Sequence, residues 1–253
     1  MKTNRIAILA ALKDETAGLK QRTRITERFL KGKILAGCLS GQEVFIVETG
    51  VGPVKAGNMT RYLLENFIVD WIISIGFAGG VKEYLNVGDL LVCDAAFWDN
   101  GETGFKEGKA RTLARKDMDP ARTSEAVGKI SRSGMGFRKG GLLTVNRVID
   151  SAEEKKWLGG IYPADAVEME TFSIAEEAEK KGVPVTAFRA ISDAFNDSIV
   201  DVDKLTGADG EVSRWKAGLY AVSHPGDIPR LLAMRENSRK AAKVLAEAVL
   251  RVL

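Results

Sequence analysis

Histidine is nearly absent from this chain: among 253 residues, His224 is its one imidazole. That excludes metal sites built on paired histidines and leaves a Ser-His-Asp triad only if His224 itself serves. Cysteine is scarce too, with Cys38 and Cys93 far apart, so neither a disulfide scaffold nor a four-cysteine zinc site is available. Neither sign of charge dominates. Lys and Arg number 37 and Asp and Glu 34, a net charge of +3, and no run of Lys or Arg argues for a nucleic-acid partner. Long apolar runs are missing. No stretch nears the ~20 residues that span a bilayer, and Ile6–Leu12 before Lys13 is too short for a signal-peptide core. The expected location is the cytoplasm. A Gly-Lys-Ser/Thr phosphate loop is absent, and Gly50-Val51-Gly52 lacks the third glycine of a dinucleotide fingerprint because position 55 is Lys. That leaves a nicotinamide dehydrogenase a distant reading. What the chain does have is an ordinary globular composition, 45% hydrophobic and 28% charged, and 26 glycines against 6 prolines, which point to many tight strand–loop–helix junctions.

Short apolar runs alternate with amphipathic segments. Ile6–Leu12 reads as a buried strand, and Lys33–Leu39 with Glu43–Glu48 as a hairpin around Ser40-Gly41-Gln42. Pro53 is placed to open a helix whose apolar positions include Met59, Tyr62, Leu63 and Phe67. Trp71–Ile75 reads as a strand ending in the glycine-rich turn Gly76-Phe77-Ala78-Gly79-Gly80. Asp89–Cys93 and Gly141–Val148 read as strands, and Ser151 with Glu154 as a cap opening a short helix. Ala166–Met169 is short and extended. Glu170–Lys181 is helical and stops at Gly182 with Pro184 beyond. Val183–Ile191 is a strand, and Ile228–Leu253 one long helix or two broken ones. Such alternation predicts an α/β fold: one domain over residues 1–253, three layers α/β/α, with a central mixed β-sheet. Two polar stretches, Trp98–Asp119 and Asn196–Gly210, read as irregular loops, either binding segments or plain surface.

Three acids are oddly placed. Glu15 follows the first strand, Glu170 stands where a strand gives way to a helix, and Asp193 lies just past Val183–Ile191. Each alone fits a helix N-terminus or a turn; together they suit acid, base and hydroxyl-binding work at the strand ends of one sheet. Arg189 interrupts an apolar strand: if the strand is buried, the guanidinium needs an anionic ligand or a carboxylate, with Glu15 or Glu170 the natural partner, and at a sheet edge it would lie in solvent. The Gly50–Gly52 amides at a helix start could face an anion.

Four stretches carry a family resemblance from Ile6 to Asp193: Ala10-Ala11-Leu12-Lys13-Asp14-Glu15; Thr49-Gly50-Val51-Gly52; Gly76–Gly80 with Val87-Gly88-Asp89; and Val167-Glu168-Met169-Glu170 with Arg189-Ala190-Ile191-Ser192-Asp193. The chain resembles the purine nucleoside and uridine phosphorylase superfamily, and within it the nucleosidase branch of methylthioadenosine/S-adenosylhomocysteine nucleosidases. The resemblance implies a nucleoside phosphorylase-like fold, no cofactor, no metal, a small-molecule nucleoside substrate and a homodimer. It implies Asp193 as the acid at purine N7, supported by Ser192, and Glu15 as the residue that places the attacking water, with Arg189 nearby. It also implies Glu170 on the ribose hydroxyls and Met169 packed on the sugar, with Phe77, Ala78, Gly79, Val148 and Glu168 completing the substrate site. Such residues suit N-ribosidic cleavage, in which the sugar gains positive character and the base negative charge.

Departures from the pattern bear on the reaction. Where phosphorylases carry a phosphate-binding Arg and Ser, this chain has Ser74 and Phe77, and a phenyl ring donates nothing to a phosphate. The aromatic expected to stack on the purine is replaced at Val148, with Phe97, Trp98 or Phe105 as substitutes. The run Leu143–Val148 and the stretch from Gly210 through Pro229 resemble a hopanoid-associated subgroup acting on a lipid-linked adenosine. Residues Trp215–Val222 are amphipathic enough to cover a lipid chain or to pack on the core. Membrane contact is thus expected only through such a substrate. The reading is a nucleosidase releasing adenine from a 5′-modified adenosine. A phosphate-dependent phosphorylase, with phosphate on the Gly50–Gly52 amides and Arg189, is the first alternative, and a non-catalytic nucleoside-binding protein the second.

Overall fold

A computed structural model describes residues 5–98, 104–109, 111–198 and 224–253. The amphipathic run Trp215–Val222 and most of the Asn196–Gly210 stretch lie outside the described residues.

Ten strands form one mixed sheet: β1 (Arg5–Ala10), β2 (Arg24–Phe29), β3 (Ile34–Leu39), β4 (Gln42–Glu48), β5 (Trp71–Gly80), β6 (Leu90–Trp98), β7 (Ala114–Asp117), β8 (Arg138–Thr144), β9 (Ala166–Glu168) and β10 (Val185–Asp193). The α-helices among the described residues are α1 (Lys13–Lys20), α2 (Pro53–Asn66), α3 (Pro120–Arg132), α4 (Ala152–Ile161), α5 (Thr171–Glu179) and α6 (Ile228–Val252). Because side chains alternate across a strand, β1 sends Ile6, Ile8 and Ala10 to one face and Ala7 and Leu9 to the other. The first face packs on Leu19 of α1, Ala126 and Ile130 of α3, and Leu245 and Val249 of α6. The second packs on Ala56 and Leu63 of α2 and Ile174 and Ala178 of α5. This is the three-layer arrangement expected, and the all-apolar character of β1 follows from coverage on both faces.

The expected hairpin joins β3 and β4 with Ser40 (φ 51°) and Gly41 (φ 81°) at its tip, the two successive positive φ values of a type I′ turn. Pro53 opens α2, and the Ser151 hydroxyl accepts from Glu154 N–H at the start of α4, as expected.

Two features depart from the sequence reading. The glycine-rich segment 76–80 is not a turn after the strand but the second half of β5. Glycine disfavours strands, yet here β5 is held by β10 along one edge over Ile72–Gly79 and by β9 at Gly79 and Gly80 on the other. Asp193 likewise belongs to its strand, closing β10 just after a register shift. Second, β5, β10, β6, β8 and β9 pair successively and return to β5, closing part of the sheet into a small barrel. The other strands extend from β5 through β1, β4 and β3 to β2. Part of the expected irregular stretch 98–119 also forms a strand, β7, on the edge of β6.

Candidate active site

The site grows from a break in strand pairing. β1 accompanies β5 only as far as Ser74, and β9 joins at Gly79. Between them the N–H of Phe77 has no strand to bond, and the Glu15 carboxylate takes it through Oε1 at 2.8 Å. Its other oxygen accepts the Leu12 amide at 2.8 Å, so Glu15 both caps α1 and seals the gap in β5. Burial pushes the Glu15 carboxyl above its ordinary range, against the lowering effect of the two amides and of Arg189.

Arg189 is 1% exposed and lies opposite Gly76 in the β10–β5 register. A Cβ at Gly76 would stand 3.1 Å from Glu15 Oε1 and 3.4 Å from Arg189 Nε, so glycine is what lets both charged groups converge there. The ion-pair partner of Arg189 is neither Glu15 nor Glu170 but Glu168, 2.8 Å from its Nη2. The reason is position: Glu168, on β9 inside the barrel, has its side chain fully enclosed and can be stabilised only by a cation that is enclosed too. Glu168 is saturated. It accepts from Arg189, the hydroxyls of Thr144 and Thr171, and the amides of Glu170 and Thr171. Burial opposes its charge, but Arg189 and these donors prevail and hold its carboxyl below the usual range. Arg189 also donates to Phe188 O, Ser74 Oγ and Thr171 Oγ1. Its Nε has no hydrogen-bond partner among the described residues.

Glu170 precedes α5 and reaches the other glycine junction. Gly50 (φ 81°) and Gly52 (φ 100°) shape the turn into α2, and the Gly52 amide donates to Glu170 Oε1 at 2.8 Å. The anion at this helix start is therefore the protein's own carboxyl group. Burial first, then the charges of Glu168 and Glu15, push Glu170 up to about 8.

Asp193 lies farther along β5, opposite Gly79. A Cβ on Gly79 would be 2.8 Å from Asp193 Oδ2, so the glycine makes room for the carboxylate. Ser192 donates to Asp193 Oδ1 at 2.7 Å and approaches the Ala78 carbonyl at 3.4 Å. Oδ2 is taken by the ammonium of Lys155, a fully enclosed lysine on α4. Met169 and Val148 are half-buried, Met169 against the small core beside the barrel. Glu15, Arg189 and Asp193 thus stand beside the second half of β5, Glu170 stands at the Gly52 turn within reach of the charges of Glu15 and Arg189, and Glu168 anchors Arg189.

Lys155, Thr144 and Thr171 escaped the sequence reading. A lysine one helical turn from Leu158, on the buried side of α4, was the available signal. The aromatics considered as substitutes near Val148 have other partners: Trp98 stacks on Phe172 at 6.3 Å, Phe105 meets Trp157 edge-on at 5.8 Å, and Phe97 lies in the core under Arg115.

This fold, with buried carboxylates beside a strand left partly unpaired on one edge, defines an α/β protein with an acidic site. The chain belongs to the phosphorylase superfamily, whose model matches residues 5–253. A 5′-methylthioadenosine/S-adenosylhomocysteine nucleosidase of Staphylococcus aureus is 31% identical over 198 residues, covering 76% of this chain and 87% of that protein. Among solved structures, futalosine hydrolase of Helicobacter pylori superposes with a TM-score of 0.77 at 19% identity, over 99% of this chain and 97% of that one. A 5′-methylthioadenosine/S-adenosylhomocysteine nucleosidase from Neisseria meningitidis, in complex with methylthio-immucillin-A, gives 0.75 at 20% identity over 98% of both. These structural likenesses establish the shared fold.

Proposed function

We propose that this protein is a nucleosidase that uses water to cleave the N-glycosidic bond of a 5′-modified adenosine and releases adenine. The observation that carries this reading is the way the site spends its anion-binding groups. A phosphate dianion needs several donors. The Gly52 amide is occupied by Glu170, the Arg189 guanidinium is committed to Glu168 and its neighbours, and Phe77 contributes a ring and an amide already bonded to Glu15. Among the described residues, the buried side-chain nitrogen left without a partner beside Glu15 is Arg189 Nε, enough to orient a water but not to hold phosphate.

In this mechanism the water lies between Glu15 and Arg189 Nε, and Glu15, made more basic by burial, takes its proton as it attacks C1′. Glu170 has Oε1 on the Gly52 amide and offers Oε2 to the ribose hydroxyls. Met169 packs on the sugar. Phe77, Ala78 and Gly79 form the floor, and Val148 takes the position beside the purine. Asp193, steadied by Ser192, serves N7 of the leaving adenine. Glu168 acts underneath, fixing Arg189 and the start of α5.

The activity named for the Staphylococcus aureus relative supports the substrate class. The protein functions as a cytoplasmic homodimer in this reading, supported by two free cysteines and by exposed Val54 and Tyr62 on one side of α2 next to the Gly52 turn. No helix among the described residues is long and apolar enough to cross a membrane. The test is incubation with methylthioadenosine, adenosylhomocysteine, futalosine, a lipid-linked adenosine and unsubstituted adenosine, with and without phosphate, with products identified by mass spectrometry. Adenine or another free base with an unphosphorylated sugar, at a rate indifferent to phosphate, is expected. Strict phosphate dependence with a sugar-1-phosphate product refutes it.

A further inference from the structure

Lys155 is the one buried cation in the site region that the mechanism above does not use. Its side chain is 0% exposed, and all three of its N–H groups have acceptors: Asp193 Oδ2, Ala194 O at 3.1 Å and Asp197 O at 3.0 Å. The same helix grips the segment after β10 twice more, through Ser198 Oγ on the Ala152 amide at 3.3 Å and Lys156 over the Phe195 ring at 5.7 Å. The remaining charged neighbours on the packed elements have partners elsewhere. Asp197 turns its carboxylate to the Ala194 amide, Arg147 and Glu154 pair with each other, and Lys82 bonds Gly159 O. Glu153 is exposed on α4. Across the site, Glu15 and Glu170 face Phe77 and Gly52, not this pair.

The arrangement poses a chemical problem. An acid must carry a proton to deliver one, yet both carboxylate oxygens of Asp193 accept, one from an ammonium and one from a hydroxyl. We propose that Lys155 and Asp193 form a proton-holding dyad in which Lys155 is the positioning residue and stores the proton that Asp193 passes to purine N7. The proposal rests on the nucleosidase reading. The balance is simple. As the C1′–N9 bond breaks, its electron pair leaves with the purine. Lys155 Nζ passes a proton to Asp193, Asp193 passes it on to N7, and the attacking water gives one to Glu15. Lys155 and Glu15 then exchange protons with solvent. A carboxyl acting alone draws on a proton whose ordinary range is near ~4, whereas a relay fed by an ammonium draws on one whose ordinary range is near ~10.

The test is the pH profile of kcat/KM with methylthioadenosine for the wild type and Lys155→Met, which keeps the length of the side chain. The wild type should lose activity on the basic side only above pH 7. In the variant that limb should move at least two pH units toward acid, with a loss of roughly 10²-fold at pH 8 that is largely recovered near pH 5. A loss equal at every pH, with the limb in place, would show a purely structural lysine and overturn the proposal. A wild-type basic limb below pH 6 overturns it as well. Should the variant fail to fold, calorimetric titration of the wild type with adenine at pH 7.5 in two buffers of different ionisation enthalpy decides. The dyad predicts no net proton uptake, and uptake of one proton refutes it. An enzyme that turns over with an unmoved limb defeats the dyad alone. A protein that neither releases a base nor binds adenine defeats the nucleosidase reading and the dyad with it.

Discussion

Adding one methyl group at Gly79 should disable the enzyme while leaving it folded. In Gly79→Ala the new Cβ would lie 2.8 Å from Asp193 Oδ2, 3.5 Å from its Cγ and 3.4 Å from Val167 Cγ2. A carbon–oxygen contact settles near ~3.3 Å, so about 0.5 Å must be found. β5 cannot supply it, since Gly79 is paired on one edge with β10 and on the other with Val167 of β9. The carboxylate must therefore swing and loosen from Lys155 or Ser192, which hold its two oxygens. Overpacking of this kind costs about 1–3 kcal/mol, and a misplacement approaching 1 Å at a reacting group costs ~10²-fold in rate. Urea unfolding and steady-state kinetics should thus show a modest loss of stability beside a much larger loss of kcat, with KM for the nucleoside little changed. Wild-type kcat in Gly79→Ala would mean that Asp193 tolerates displacement, and the reasoning from this close approach would be wrong.

Glu168→Gln removes the anion that balances a guanidinium 1% exposed, and urea unfolding should register a loss of about 3–5 kcal/mol. Glu170→Gln keeps an acceptor for the Gly52 amide but cannot ionise. Because the folded carboxyl is pushed up to about 8 from an ordinary 4.5, its contribution to stability is complete at pH below the ordinary value and is lost as pH rises toward 8. The wild-type Tm should accordingly fall relative to the variant between pH 5 and 8, and parallel curves would contradict the placement of this carboxyl. Asp193→Asn should lose roughly 10²–10⁴-fold in base release, and because it leaves the enclosed Lys155 ammonium without its anion the unfolding midpoint should fall as well. Gly160→Ala, exposed on α4 with nothing within 4 Å of the new Cβ, should gain about 0.5–1 kcal/mol and leave kcat alone.

The parts of the fold governed by local rules were legible in the chain. Two positive-φ residues at Ser40 and Gly41 closed the expected hairpin, a proline opened α2, and a serine capped α4. The missed parts depend on distant partners. A run such as Gly-Phe-Ala-Gly-Gly has the composition of a turn, and only β10 and β9 on its two edges make it a strand. β2 shows no buried alternation because it is an edge strand, exposed except for the partly covered Ile25 and Phe29. In the site, the acids Glu15, Glu170 and Asp193 stood out by their position at strand ends. The pairing of Arg189 with Glu168 did not, because Glu168 sits in the same short motif as Glu170 and only the barrel decides which of the two turns inward. Lys155 was hidden for the same reason: its partner lies 38 residues away, across a connection that local spacing does not constrain.

Four carboxyl groups lie within one site, and their surroundings separate them chemically. Glu168 meets a guanidinium, two hydroxyls and two amides and is a fixed anion. Since its charge cancels that of Arg189, the deepest layer of the site is close to neutral despite holding two ions. Glu170 sits above that layer with one amide donor and two anionic neighbours, so it is mostly protonated at neutral pH. Glu15 has two amides and the nearby Arg189 against its burial, an intermediate situation suited to taking a proton from water. Asp193 alone faces an ammonium. In the proposed reaction positive charge develops on the sugar, between Glu15 and Glu170, and negative charge on the purine, beside Asp193 and Lys155. The negative charge that grows on the purine therefore meets a dyad whose ammonium is already in place, while the sugar is held by Glu170 through hydrogen bonding and not by a standing anion.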